Sequence, residues 1–220
     1  MTAETGTANT LPLWFKIPEQ LHEVDLYGSP ASRIQRSYEN VSVLMEGADV
    51  AEQIHVVYLQ EQMLSQLLAN GAVFVGHCLA RSEADPAKLT AAQFSILVQP
   101  ANLSARRPLH ALAGALKQPG MRREVGFADY PAGEALVVGE EVEVTLPTTL
   151  TGKPVENTHR VRQVQIVLPF PGNQRLAIVG VSSETLADWK HFVTMLDGIA
   201  RSISFTDPAE PSIGDLLAGL

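Results

Sequence analysis

A chain of 220 residues, 45% hydrophobic and 18% charged, carries enough apolar material to bury about 70% of its unfolded surface in one core, which excludes overall disorder. Its formal net charge of −8 speaks against nucleic acid or an anionic membrane surface as partner. Both are gripped through clustered Lys and Arg, and the doublets Arg106-Arg107 and Arg122-Arg123 are too small to reverse the balance.

Residues 1–11 are small and polar without periodicity, as expected of a flexible arm. Leu13 to Ile17 predict a short strand stopped by Pro18, which has no ladder donor. Ser29-Pro30 is a helix start, with Ile34, Tyr38, Val41 and Met45 stepping along one face until Gly47. Asp49 starts a second helix whose apolar stripe is Val50, Ile54, Val57, Tyr58, Leu64, Leu67 and Leu68, with Asn70-Gly71 as its stop. These make a helical pair. Residues 72–80 and 94–98 are apolar strands of a covered sheet, separated by an exposed charged loop.

Pro108 opens a short helix with Leu109, Leu112, Ala113 and Leu116 on one side, ended by Pro119-Gly120. Strands over 124–130 and 135–138 flank a Pro131-Ala132-Gly133 turn, and Glu141 to Leu146 alternates strictly, so one of its faces is wet. Residues 147–157 predict a turn-rich loop. The most regular stretch is Arg160 to Phe205. Val164, Ile166 and Leu168 alternate, Pro169 to Asn173 turn the chain, and Leu176 to Val181 is apolar on both faces, as in a central strand. Thr185 is the expected N-cap of a helix with Leu186, Trp189, Phe192, Val193, Leu196, Ile199 and Ala200 on its packing face. In the tail, Ile213, Leu216, Leu217 and Leu220 would share one helical face, either folded back on their own domain or docked in a partner's groove. The organisation expected is an arm (1–11), one domain (12–206) and a tail (207–220).

Chemistry is sparse. The histidines at 22, 55, 77, 110, 159 and 191 have no metal-ligand spacing, and no phosphate-cradling glycine loop occurs, so neither metal nor cofactor is expected. The single cysteine, Cys78, cannot form an intrachain disulfide and sits in a strand as a buried thiol; its neighbour His77 points to the other face. Arg160 and Arg162 share a face where they could hold an anion or pair with the glutamates at 140–143. With no basic and apolar leader, no lipobox-type cysteine and no run of ~20 apolar residues, the expected location is cytoplasmic, without membrane insertion.

Trp14-Phe15-Lys16-Ile17-Pro18, the Leu168-Pro169-x-Pro171-Gly172 hairpin and Trp189 in a helix ending Ile199-Ala200-x-Ser202-Ile203-Ser204-Phe205 together resemble the PsbP-like fold, including the actinobacterial LpqN-type proteins. The resemblance implies an α+β protein, an α/β/α sandwich with a central mostly antiparallel sheet and helices on both faces. It also implies a binding protein, because no shared catalytic residue carries over. The Ile213-Gly214-x-Leu216 core resembles the C-terminal loading peptides of encapsulin cargo proteins.

Two functions follow. One is a non-catalytic cytoplasmic module that binds another protein as adaptor, chaperone or accessory subunit of a secretion system or compartment, with Ile213, Leu216, Leu217 and Leu220 as contacts. The other is a small-ligand binder or unrecognised enzyme using a cleft between sheet and helical pair, lined by Trp14, Tyr58 or Arg160. A third possibility is a subunit of a homo-oligomer.

Overall fold

The computed structural model describes residues 11–44, 47, 49–105, 107–117, 122–145 and 158–207. In chain order the elements are β1 (His22–Glu23), α1 (Pro30–Leu44), α2 (Val50–Ala69), β2 (Ala72–Arg81), β3 (Leu89–Pro100), α3 (Pro108–Leu116), β4 (Arg123–Tyr130), β5 (Gly133–Thr145), β6 (Thr158–Pro169), β7 (Arg175–Ser183) and α4 (Trp189–Arg201). All seven strands join one antiparallel sheet in the order β1-β2-β3-β7-β6-β5-β4. The protein is therefore of the α+β class.

The doubly apolar run Leu176 to Val181 becomes β7, at the centre of the sheet between β3 and β6. Its turn from β6 works because Gly172 (φ 87°) and Asn173 (φ 57°) accept the left-handed backbone, where most side chains clash. Phe170 N–H then donates to the Arg175 carbonyl at 2.9 Å.

Successive strand side chains point to opposite faces. Ile166, Leu168, Ala177, Val179 and Val181 cluster with Phe192, Leu196, Ile199 and Ala200 of α4. The alternate residues Leu136, Val138, Val167 and Leu176 cluster with Leu109 and Ala113 of α3. The α1–α2 pair stands apart. Its most buried apolar side chains, Val41, Val57 and Leu64, belong to neither cluster, and the pair meets the sheet chiefly through α2 at β2.

Four expectations change. Residues 13–17 form no strand of the sheet: Trp14 bridges only Ser204, exchanging backbone hydrogen bonds of 2.9 Å, while Lys16 N–H is held by Ser202 Oγ. The segment is a strap over the exit of α4, with Leu13, Phe15 and Ile17 against the core. The runs 135–138 and 141–145 are one strand, β5, because Gly139 and Glu140 continue the ladder with Val164 and Gln163, and Leu146 lies outside the described residues. Thr185 makes no side-chain cap; a 3₁₀ turn over Leu186–Asp188 intervenes, and the backbone N–H of Thr185 donates to Ser183 Oγ. The α2 stripe is only partly buried. The loop foreseen at 147–157 lies outside the described residues.

Candidate functional site

An exposed apolar surface follows from the composition of α2. Residues 50–69 contain no Lys or Arg, and many of the outward positions are filled by Gln, Ser or apolar side chains rather than charges. Val57 and Leu64 turn inward, but Val50 (53% exposed), Ile54 (45%) and Tyr58 (48%) fall four residues apart along one line of the helix. Met63 on α2 and Ile34 and Val43 on α1 are also exposed, as is Tyr27 just ahead of α1.

Polar contacts hold the pair in this arrangement. Arg33 forms a largely buried ion pair with Glu61 (2.6 Å) and donates to the Gly28 carbonyl (2.6 Å), and Ser37 hydrogen-bonds Gln60. Asp25 binds Arg36 at 2.7 Å and accepts from the Gly28 and Tyr27 amides, and the Arg36 guanidinium, followed by those amides, holds its carboxyl below the usual carboxylate range. Both ring nitrogens of His55 are shielded from water and lack a hydrogen-bond partner.

The arginines at the start of β6 meet a row of acids. Register places Arg160 opposite Glu143 and Arg162 opposite Glu141. Arg162 pairs with Glu141 and lies over the Trp189 ring at 5.6 Å, whereas Glu140 binds Arg123 at 2.6 Å and accepts from Gln163. The Arg162 guanidinium is the main cause that holds the Glu141 carboxyl below its usual value. This ladder uses cross-strand pairing rather than leaving a free cationic edge.

A cavity of about 260 Å³ opens where β1 and β2 pass the start of α4. His22, Cys78, Thr90, Asp188, His191 and Phe192 are among its lining residues. Asp188 is only 6% exposed, and its Oδ1 accepts from the Glu83 (3.1 Å) and Ala84 (3.4 Å) amides of the β2–β3 loop. The nearby Ser82 hydroxyl, then Thr90 and those amides, keep its carboxyl below the usual range. Asp188 Oδ2 and Thr90 Oγ1 are both shielded from solvent. Glu83 and His191 approach to 3.6 Å at the rim. Cys78 is buried, and burial pushes its thiol up, away from the reactive thiolate.

The residues named as lining a cleft do not meet. Trp14 sits at Ser204, Tyr58 on the outer side of α2, and Arg160 beside Glu143 with Arg122 in a shallow depression. Ile213, Leu216, Leu217 and Leu220 lie outside the described residues. Asp188 and Thr90 carry no sequence signal, since an acid in the first turn of a helix and a threonine in a strand are commonplace. Among the described residues no three His, Cys, Asp or Glu side chains are grouped to hold a metal ion, and no helix is long and apolar enough to cross a membrane. No protein-family model, curated protein or solved structure matches the chain.

Proposed function

We propose that this chain is a non-catalytic protein-binding module, an adaptor or accessory subunit, whose α1–α2 pair receives an amphipathic helix of another protein. The observation that carries this reading is the line Val50, Ile54 and Tyr58, half exposed on a helix whose polar contacts are spent on holding α1. Exposed apolar side chains at four-residue spacing are the anchors of helix-in-groove recognition, and the absence of Lys and Arg on α2 selects an apolar rather than an acidic partner surface. The two clusters on alternate strand residues support an α/β/α sandwich, and with it the PsbP-like resemblance and its binding role. Cytoplasmic location and a second contact through the tail belong to the same proposal.

The test is affinity purification from the source organism with the intact chain, with Ile54→Asp, and with a version ending at Thr206. A partner recovered by the intact chain and lost with Ile54→Asp, at unchanged melting temperature, is the expected result. Loss only on truncation moves the contact to the tail. Recovery of no partner, or equal recovery by all three, overturns the assignment to α1–α2.

A further inference from the structure

The two edges of the sheet end differently. β1, two residues long, blunts one of them. The other is β4, eight residues in unbroken register with β5 and without the Pro, Lys or bulge that commonly guards an exposed edge. It lies across the sheet from β2, where the α1–α2 pair sits. Tyr130 faces Gly133 across a two-residue turn, a pair that exchanges both backbone hydrogen bonds, and such pairs alternate along the ladder. Glu124, Gly126 and Ala128 are therefore spent on β5, while Arg123, Val125, Phe127 and Asp129 turn N–H and C=O away from it. The bond from Phe170 N–H to the Arg175 carbonyl gives the same phase when followed through β6 and β5. Among the described residues no strand or loop takes those outward groups.

We infer that β4 pairs antiparallel with β4 of a second copy of this chain about a two-fold axis at Gly126, joining two sheets edge to edge. Outward residues must face outward residues in such a ladder. An axis at Gly126 matches them all, Arg123 with Asp129 and Val125 with Phe127, each pair occurring twice. Moving the axis to Val125 or Phe127 leaves one end unmatched and puts no base opposite Asp129. Asp129 is exposed and has no ion pair among the described residues, whereas Arg123 gives Nε and Nη2 to Glu140 and keeps Nη1 for a second acid. Phe127, 39% exposed beside the His110 ring, gains Val125 of the second copy as a cross-strand neighbour. The pairing closes on itself, because it uses the same edge of both copies.

Sedimentation equilibrium of the full chain tests this. An edge this short belongs with small, reversible interfaces, so a dimer of twice 23.8 kDa should form with a dissociation constant on the order of 10–100 μM. Asp129→Pro removes an outward N–H and the charge without touching a β5 hydrogen bond, and it should weaken the dimer about tenfold or more while the dilute chain melts unchanged. Asp129→Lys leaves the backbone as it is, sets like charges opposite, and should act in the same direction whatever the proline does to folding. Gly126→Cys reads the register. A Cβ there meets nothing, and across the axis the two α-carbons would stand about 4.5 Å apart, within disulfide reach. Under mild oxidation it should cross-link at least about tenfold faster than Glu124→Cys, whose counterpart lies ~14 Å away along the ladder. Buried Cys78 gives no background. A single mass of 23.8 kDa throughout, a dimer undiminished in folded Asp129→Pro or Asp129→Lys, or equal cross-linking of the two cysteine variants overturns the inference. So does a dimer that Ile54→Asp abolishes and Asp129→Pro keeps, which would place the contact on α1–α2.

Discussion

Truncating Phe192 to alanine tests how α4 is held and, by contrast, whether the outer side of α2 is free. Phe192 is 1% exposed and meets Phe94 edge to face, with ring centroids 6.5 Å apart at 78°. Deleting a fully buried phenylalanine costs about 3–5 kcal/mol, which includes ~0.5–1.5 kcal/mol for the aromatic pair. With a urea dependence of ~2–3 kcal/mol per molar for a chain of this size, the unfolding midpoint should fall by roughly 1–2.5 M with the slope unchanged. Tyr58→Ala removes a comparable ring that is 48% exposed, and it should change stability by no more than ~0.5 kcal/mol. Circular dichroism during urea unfolding measures both. A Phe192→Ala cost below about 1 kcal/mol would refute the packing of α4 described above. A Tyr58→Ala cost above about 1.5 kcal/mol would show a packed α2 surface and remove the ground for docking there.

Gly71 has φ 81°, and a Cβ there would sit inside contact distance of the Val98 carbonyl oxygen, so Gly71→Ala should cost at least ~2 kcal/mol in the same assay. His55→Leu removes two shielded, unpartnered ring nitrogens and should stabilise by about 1 kcal/mol; a loss of stability would mean that the ring has a partner. The Tyr130 hydroxyl, desolvated by burial and donating to Asp197 at 3.0 Å, is pushed up to about 12. The unfolded chain loses that proton near pH 10. Tyr130 therefore contributes stability that is complete below pH ~10 and disappears as pH rises through its folded value, and Tyr130→Phe should flatten the alkaline limb of the stability profile. Identical limbs in the two proteins would contradict this assignment.

The sheet was legible wherever local pattern and tertiary role coincide. Leu176 to Val181, apolar on both faces, could only be a covered strand, and it lies at the centre of the sheet. Residues 13–17 look equally strand-like, yet their backbone partners are at the exit of α4, a contact that no local pattern encodes. Spacing along α2 recovered the helix but not its orientation. Val50, Ile54 and Tyr58 are as apolar as Val57 and Leu64, and only the Arg33–Glu61 and Ser37–Gln60 contacts decide which set turns inward. The expectation for Thr185 failed because the Asp188 carboxylate is turned to the amides of Glu83 and Ala84, far away in sequence, and a 3₁₀ turn replaces the first helical turn. The Arg160–Arg162 segment was readable in outline, since the acidic partners opposite it sit on an alternating strand.

The order of strands has a consequence for the growing chain on the ribosome. The β2–β3 hairpin and the β4–β5–β6 meander each form from neighbouring residues, but β7, the last strand made, is the piece that joins them. Until Arg175 to Ser183 emerge, β3 and β6 each present an unpaired edge with apolar side chains, the template on which other chains aggregate. Translation stopped before residue 175 should therefore yield two sticky half-sheets, whereas release after α4 closes both edges in one step.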